Sequence, residues 1–110
     1  MEVKELREKI FSAIGNHYTT IYSDEWFWED SFRITINYGR ITVDFKPRKE
    51  PFIIPSKYKE FEDALKRIPE LKLVHVYKRS IKGKNRPSWI NYDTYRINSI
   101  TFDSKVYIHI

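Results

Sequence analysis

The spacing of apolar and polar positions changes several times along the chain, and each change marks an element. Near the start, Val3, Leu6, Ile10, Ala13 and Ile14 recur at helical spacing with Phe11 beside them. Lys4–Glu8 and Glu5–Lys9 stand four apart on the other face, and Gly15 supplies a stop, so the pattern predicts a helix over 2–14. "HYTTIYS" follows, rich in β-branched and aromatic residues, and reads as a strand; "DEWFWED" reads as an acidic, aromatic turn.

The pattern then switches to a period of two. In "SFRITINYGRITVDFK", Phe32, Ile34, Ile36 and Tyr38 alternate with Arg33, Thr35 and Asn37. Beyond Gly39, Ile41, Val43 and Phe45 alternate with Thr42, Asp44 and Lys46. This is a hairpin with one buried and one polar face. "PRKEPFIIP" is a proline-bounded connector with a short edge strand at 52–54. Ser56 is placed to cap a second helix, 57–68, whose stripe is Tyr58, Phe61, Ala64, Leu65 and Ile68 and which Pro69 ends. "LKLVHVYKR" is a strand, and "TYRINSITF" and "KVYIHI" form a terminal hairpin around Asp103–Ser104. The expected fold is a single α+β domain over 1–110, in the order α-β-β-β-α-β-β-β, with two helices packed on one face of an antiparallel sheet.

Composition narrows the function. There is no cysteine, which excludes disulfides, thiolate metal sites and a cysteine nucleophile, and fits an intracellular, cytoplasmic protein. No signal peptide and no membrane span are legible, so no membrane partner is expected. Glutamine is also absent and lysine, isoleucine and tyrosine are abundant, a mix similar to that of small proteins of hyperthermophilic archaea and their viruses. The net charge of +5 is uneven: residues 1–30 carry three cations and seven carboxylates, and residues 31–110 carry seventeen and eight. A basic half points to a polyanion.

The strongest concentration is "KRSIKGKNRPSW", residues 78–89, where Lys78, Arg79, Lys82, Lys84 and Arg86 precede Trp89. A loop between strands with these cations suits a phosphate backbone, and Trp89 suits a base. Arg33, Arg40 and Lys46, on or beside the polar side of the hairpin, extend the basic surface. A helix-backed sheet with one polar face is a recurrent support for single strands, although the outward positions of this hairpin carry no aromatic ring. The run from Phe32 to Ile68, a hairpin, an "IIP" step and an amphipathic helix, resembles single-stranded-DNA-binding folds of the transcriptional-coactivator or Whirly type.

Two other chemistries compete. Asp30, then Asp44-Phe45-Lys46, with Glu5 on the preceding helix, resemble the PD-(D/E)XK nuclease pattern, especially that of archaeal Holliday-junction resolvases. The resemblance implies a magnesium ion held by Asp30, Asp44 and Glu5, with Lys46 orienting water. Here Asp30 follows glutamate where the motif has proline, and that fold buries both faces of its sheet, unlike this one-sided hairpin. The second chemistry is a protein interface, in an inhibitor or interaction module, formed by Asp24, Glu25, Trp26, Trp28, Glu29 and Asp30, aromatic anchors ringed by charge. His17, His75 and His109 have no metal spacing, and His75 reads as a packed or hydrogen-bonded strand histidine. No cofactor motif occurs. The leading expectation is a non-catalytic nucleic-acid-binding protein, with a homodimer through edge pairing of "KVYIHI" as a further expectation.

Overall fold

A computed structural model describes residues 1–15, 32–46, 52–81 and 94–109. Helix α1 spans Val3–Gly15 and buries Leu6, Ile10 and Ile14, the stripe anticipated from its spacing. Strands β1 (Phe32–Asn37) and β2 (Arg40–Phe45) form the hairpin, with Phe32 opposite Phe45 and Asn37 opposite Arg40. A two-residue strand β3 (Phe52–Ile53) precedes helix α2 (Pro55–Lys66), and two long strands follow, β4 (Leu71–Ile81) and β5 (Thr94–Ser104). The expected α+β class holds, and so does the element order as far as β5, with β3 as the third strand between the helices. The segment "HYTTIYS" lies outside the described residues.

β5 is the axis of the sheet. β4 runs antiparallel along its whole length, while β2 pairs with its second half and β3 with Tyr95 and Arg96. The hydrogen-bonded order is β1-β2-β5-β4, with β3 continuing the row of β2. Each long strand carries one extra residue. Leu73 and His75 face consecutive residues Phe102 and Thr101, so Val74 is bulged; Tyr77 and Lys78 face Ser99 and Ile97, so Asn98 is bulged.

One face of the sheet is the core. Phe32, Ile41, Val43, Phe45, Ile97, Ile100, Phe102 and Val76 are buried on it against Leu6, Ile10, Phe61 and Leu65 of the helices. Polar contacts tie the layers together. Arg7 donates to the Phe32 carbonyl at 3.1 Å with its guanidinium 5.0 Å from the Phe32 ring, and Lys9 pairs with Glu70 in the turn before β4. That pairing holds the Glu70 carboxyl below its usual range, the hydrogen bond from Lys9 being the main cause.

Three local details differ from the expectation. α2 starts at Pro55, in the first helical turn where its missing N–H is no loss, and the preceding Ile54 makes no side-chain cap. Ser56 is therefore inside the helix and caps nothing. The end of α2 is drawn in by Pro69, which disfavours helix at Ile68, and the last turn closes with the Arg67 N–H donating to the Ala64 carbonyl and the Ile68 N–H to that of Leu65. The tail "KVYIHI" makes one bridge in place of a strand, His109 parallel to Glu2. Both edges of β5 are already paired, so no hairpin forms at Asp103–Ser104. The tail instead lies beside the start of the chain, the His109 N–H donating to Met1 O at 2.8 Å and the Val3 N–H to His109 O at 3.2 Å. These backbone groups of His109 are thus engaged within the chain. Neither described helix is long and apolar enough to cross a membrane.

Candidate nucleic-acid interface

The face of the sheet turned away from the helices is built by the residues that alternate with the core. Register sets them in rows across four strands. Arg33, Asp44, Ser99 and Tyr77 form one row; Thr35, Thr42, Thr101 and His75 the next; Asn37, Arg40, Asp103 and Lys72 the third. Toward the other end of β5, Arg79 stands opposite Arg96. Neighbouring strands are about 4.8 Å apart and successive rows about 6.8 Å, so the side chains of this face form a regular grid. Lys46 continues it past Asp44, and Arg33, Asp44, Phe45 and Lys46 line a cavity of about 270 Å³.

The charge on this face is one-sided. Among the described residues it carries Arg33, Arg40, Lys46, Lys72, Arg79 and Arg96 against Asp44 and Asp103, six cations to two carboxylates. Asp103 is engaged by Arg40, its carboxylate 2.8 Å from Nε. The helix layer differs. Residues 1–15 and 55–70 hold seven cations (Lys4, Arg7, Lys9, Lys57, Lys59, Lys66, Arg67) and seven carboxylates (Glu2, Glu5, Glu8, Glu60, Glu62, Asp63, Glu70), and are neutral in sum. Among the described residues, most of the basic excess read along the chain falls on this face.

Two aromatic rings stand on that face. The Val74 bulge inverts the alternation of β4, so His75 and Tyr77 point outward, their rings 6.3 Å apart edge to face, and Tyr77 is 55 % exposed. Sequence reading missed both: it placed His75 as a packed residue and found no outward aromatic. Lys72 was missed as well. Its position two before the bulge follows plain alternation from Leu71 and Leu73, which was a usable signal.

The residues expected to bind separate into three groups. Arg33, Arg40, Lys46 and Arg79 share the outer face. Lys78 does not; after the Asn98 bulge it faces the helices, with its ammonium 3.3 Å from the Tyr58 ring centroid and 4.4 Å from that of Tyr95. Lys78 and Arg79 belong to β4 and not to a loop, since the strand runs to Ile81. Around them, Tyr58 and Tyr95 meet edge to face at 5.4 Å. Burial, with the Glu62 charge second, pushes the Tyr58 phenol up. Lys82, Lys84, Arg86 and Trp89 lie outside the described residues, as do Asp24, Glu25, Trp26, Trp28, Glu29 and Asp30 of the acidic aromatic segment.

The nuclease constellation is not brought together. Glu5 lies on the helix layer, lining a groove with Glu8, Lys9 and Arg67, while Asp44 and Lys46 are on the opposite side of the sheet. A sheet separates the carboxylates that would have to share one ion. Asp30, the third member, is outside the described residues, and among those described no three His, Asp or Glu side chains converge.

Comparison with protein families, curated proteins and solved structures finds no match. The reading of this surface therefore rests on its own chemistry.

Proposed function

We propose that the protein binds nucleic acid without cleaving it, on the outer face of the sheet, and takes single strands in preference to duplex. The observation that carries this is the contrast between a neutral helix layer and an outer face with six cations to two carboxylates. A polyanion is the partner that such a face attracts. Arg33, Lys46, Lys72 and Arg79 supply phosphate contacts, the arginines with bidentate geometry available. Tyr77, with His75 beside it, offers a ring that only an unpaired base can meet, which is the argument for single strands. Lys82, Lys84, Arg86 and Trp89, between β4 and β5 in sequence, supply further phosphate contacts and a ring in this reading. Such a protein acts where nucleic acid is accessible, in the cytoplasm of the cell.

The test is a comparison of faces. Replacing Arg33, Lys72 and Arg79 together with glutamine removes three phosphate contacts from the outer face. Replacing Lys57, Lys59 and Lys66 removes the same charge from the helix layer. The first variant is expected to lose affinity for a labelled single strand and to lower the salt slope by about 2, at about 0.7 per contact. The second is expected to keep both values near wild type. Equal losses from the two variants would contradict a face-specific site.

A further inference from the structure

The turn joining β1 to β2 carries a residue that the turn itself does not want. Asn37 and Arg40 are paired, leaving Tyr38 and Gly39 as a two-residue loop with φ of 52° and 79°. Two consecutive left-handed residues make a type I′ turn, whose first position favours Asn, Asp or Gly. Gly39 meets that demand. Tyr38 does not, because a bulky side chain at positive φ is strained. Nor does packing offset the strain, as Tyr38 is fully exposed at 101 % of its reference area.

The ring is nonetheless held on a fixed support. The Ser104 N–H donates to the Gly39 carbonyl at 2.8 Å, pinning the turn to the end of β5. The Tyr38–Gly39 turn is flanked by Asn37 and Arg40, members of the last row of the outer face, which Asp103 and Lys72 complete. The outer face thus runs from Arg79 and Arg96, near the strand ends that lead toward Trp89 in sequence, to Tyr38 at the opposite end. Backbone strain that nothing in the fold uses gathers where a ligand uses it.

We infer that Tyr38 is a base-stacking residue that holds an unpaired base of single-stranded nucleic acid at the turn end of the track. This rests on the proposed binding by the outer face and deepens it: it assigns the contact, and it makes the β1–β2 turn one end of the strand's path over the sheet.

The experiment uses the full chain as wild type, Tyr38→Asn and Tyr38→Phe. Each is melted, sedimented, and titrated against labelled oligothymidine and oligouridine. Tyr38→Asn relieves the turn and is expected to raise the melting temperature by about 2–6 °C. The same variant is expected to bind about 5-fold to 100-fold more weakly, while Tyr38→Phe keeps wild-type affinity. Wild type that binds, with Tyr38→Asn binding equally well, overturns the inference and leaves the outer-face reading standing. Wild type that binds neither strand overturns both. A lower melting temperature for Tyr38→Asn overturns the strain argument. Dissociation of a dimer by Tyr38→Asn at unchanged strand affinity assigns the ring to a second copy of the chain, and overturns it too.

Discussion

Lys78 and Arg79 are adjacent in the chain and leave β4 on opposite faces of the sheet, which makes them a matched pair for separating stability from binding. Lys78 sits over the Tyr58 and Tyr95 rings, and a partly exposed contact of that kind is worth about 0.5–1 kcal/mol. Lys78→Met is therefore expected to lower the unfolding free energy by about that amount in urea titration, with strand affinity little changed. Arg79→Ala is expected to do the reverse. Tyr77→Ala belongs with Arg79: stability within about 0.5 kcal/mol of wild type and affinity lower by at least about fivefold. The basic run marked Arg79 in the sequence, but the inward placement of Lys78 and the outward placement of Tyr77 were not legible there. Val74 is an ordinary strand residue, and nothing in its neighbours announces that it is bulged. Strict alternation from Leu71 would send His75 and Tyr77 into the core, and one extra residue reverses every side chain beyond it.

At the level of elements, the legible features were those with a strong local cause. The β1–β2 hairpin follows from uninterrupted alternation around Gly39, and α1 from a stripe of buried Leu6, Ile10 and Ile14. The start of α2 was misplaced by one competing rule, because Pro55 sets the helix entry before Ser56 has a chance to cap it. Ser56→Ala is accordingly expected to change stability by less than about 0.5 kcal/mol, where loss of a true N-cap costs about 1 kcal/mol. The fate of "KVYIHI" was not legible, since its strand-like composition says nothing about whether an edge of β5 is free. The contact from α1 to the turn before β4 gives a pH signature. Glu70 is held below its usual range by Lys9, so the stabilisation is present above the unfolded carboxyl value near about 4.3 and disappears as pH falls through the lowered folded value. Glu70→Gln should thus melt below wild type at neutral pH and converge with it in strong acid. A difference that stays constant across that range would contradict the assignment.

For the whole molecule, the division of charge was half visible. The first thirty residues are acidic and the remainder basic, yet α2, drawn from the basic part, carries three cations and three carboxylates, and among the described strands the surplus falls mainly on β4, which holds Lys72, Lys78 and Arg79 and no carboxylate. Arg33, Arg40, Lys46 and Arg79 were identifiable because hairpin alternation points to them or because they crowd a basic run. The face they share became apparent only through the pairing of β5 with both β2 and β4. The central claim is that this face takes single-stranded nucleic acid. The most direct measurement is fluorescence anisotropy of labelled single-stranded DNA, RNA and duplex DNA, titrated with the wild-type protein from low to high salt. The account predicts micromolar or tighter binding of single strands at low salt, weaker binding of duplex, and a slope of log K against log salt of about −3 from Arg33, Lys46, Lys72 and Arg79 alone, steepening toward about −5 with Lys82, Lys84 and Arg86. A folded protein that binds none of the three at low salt would contradict it.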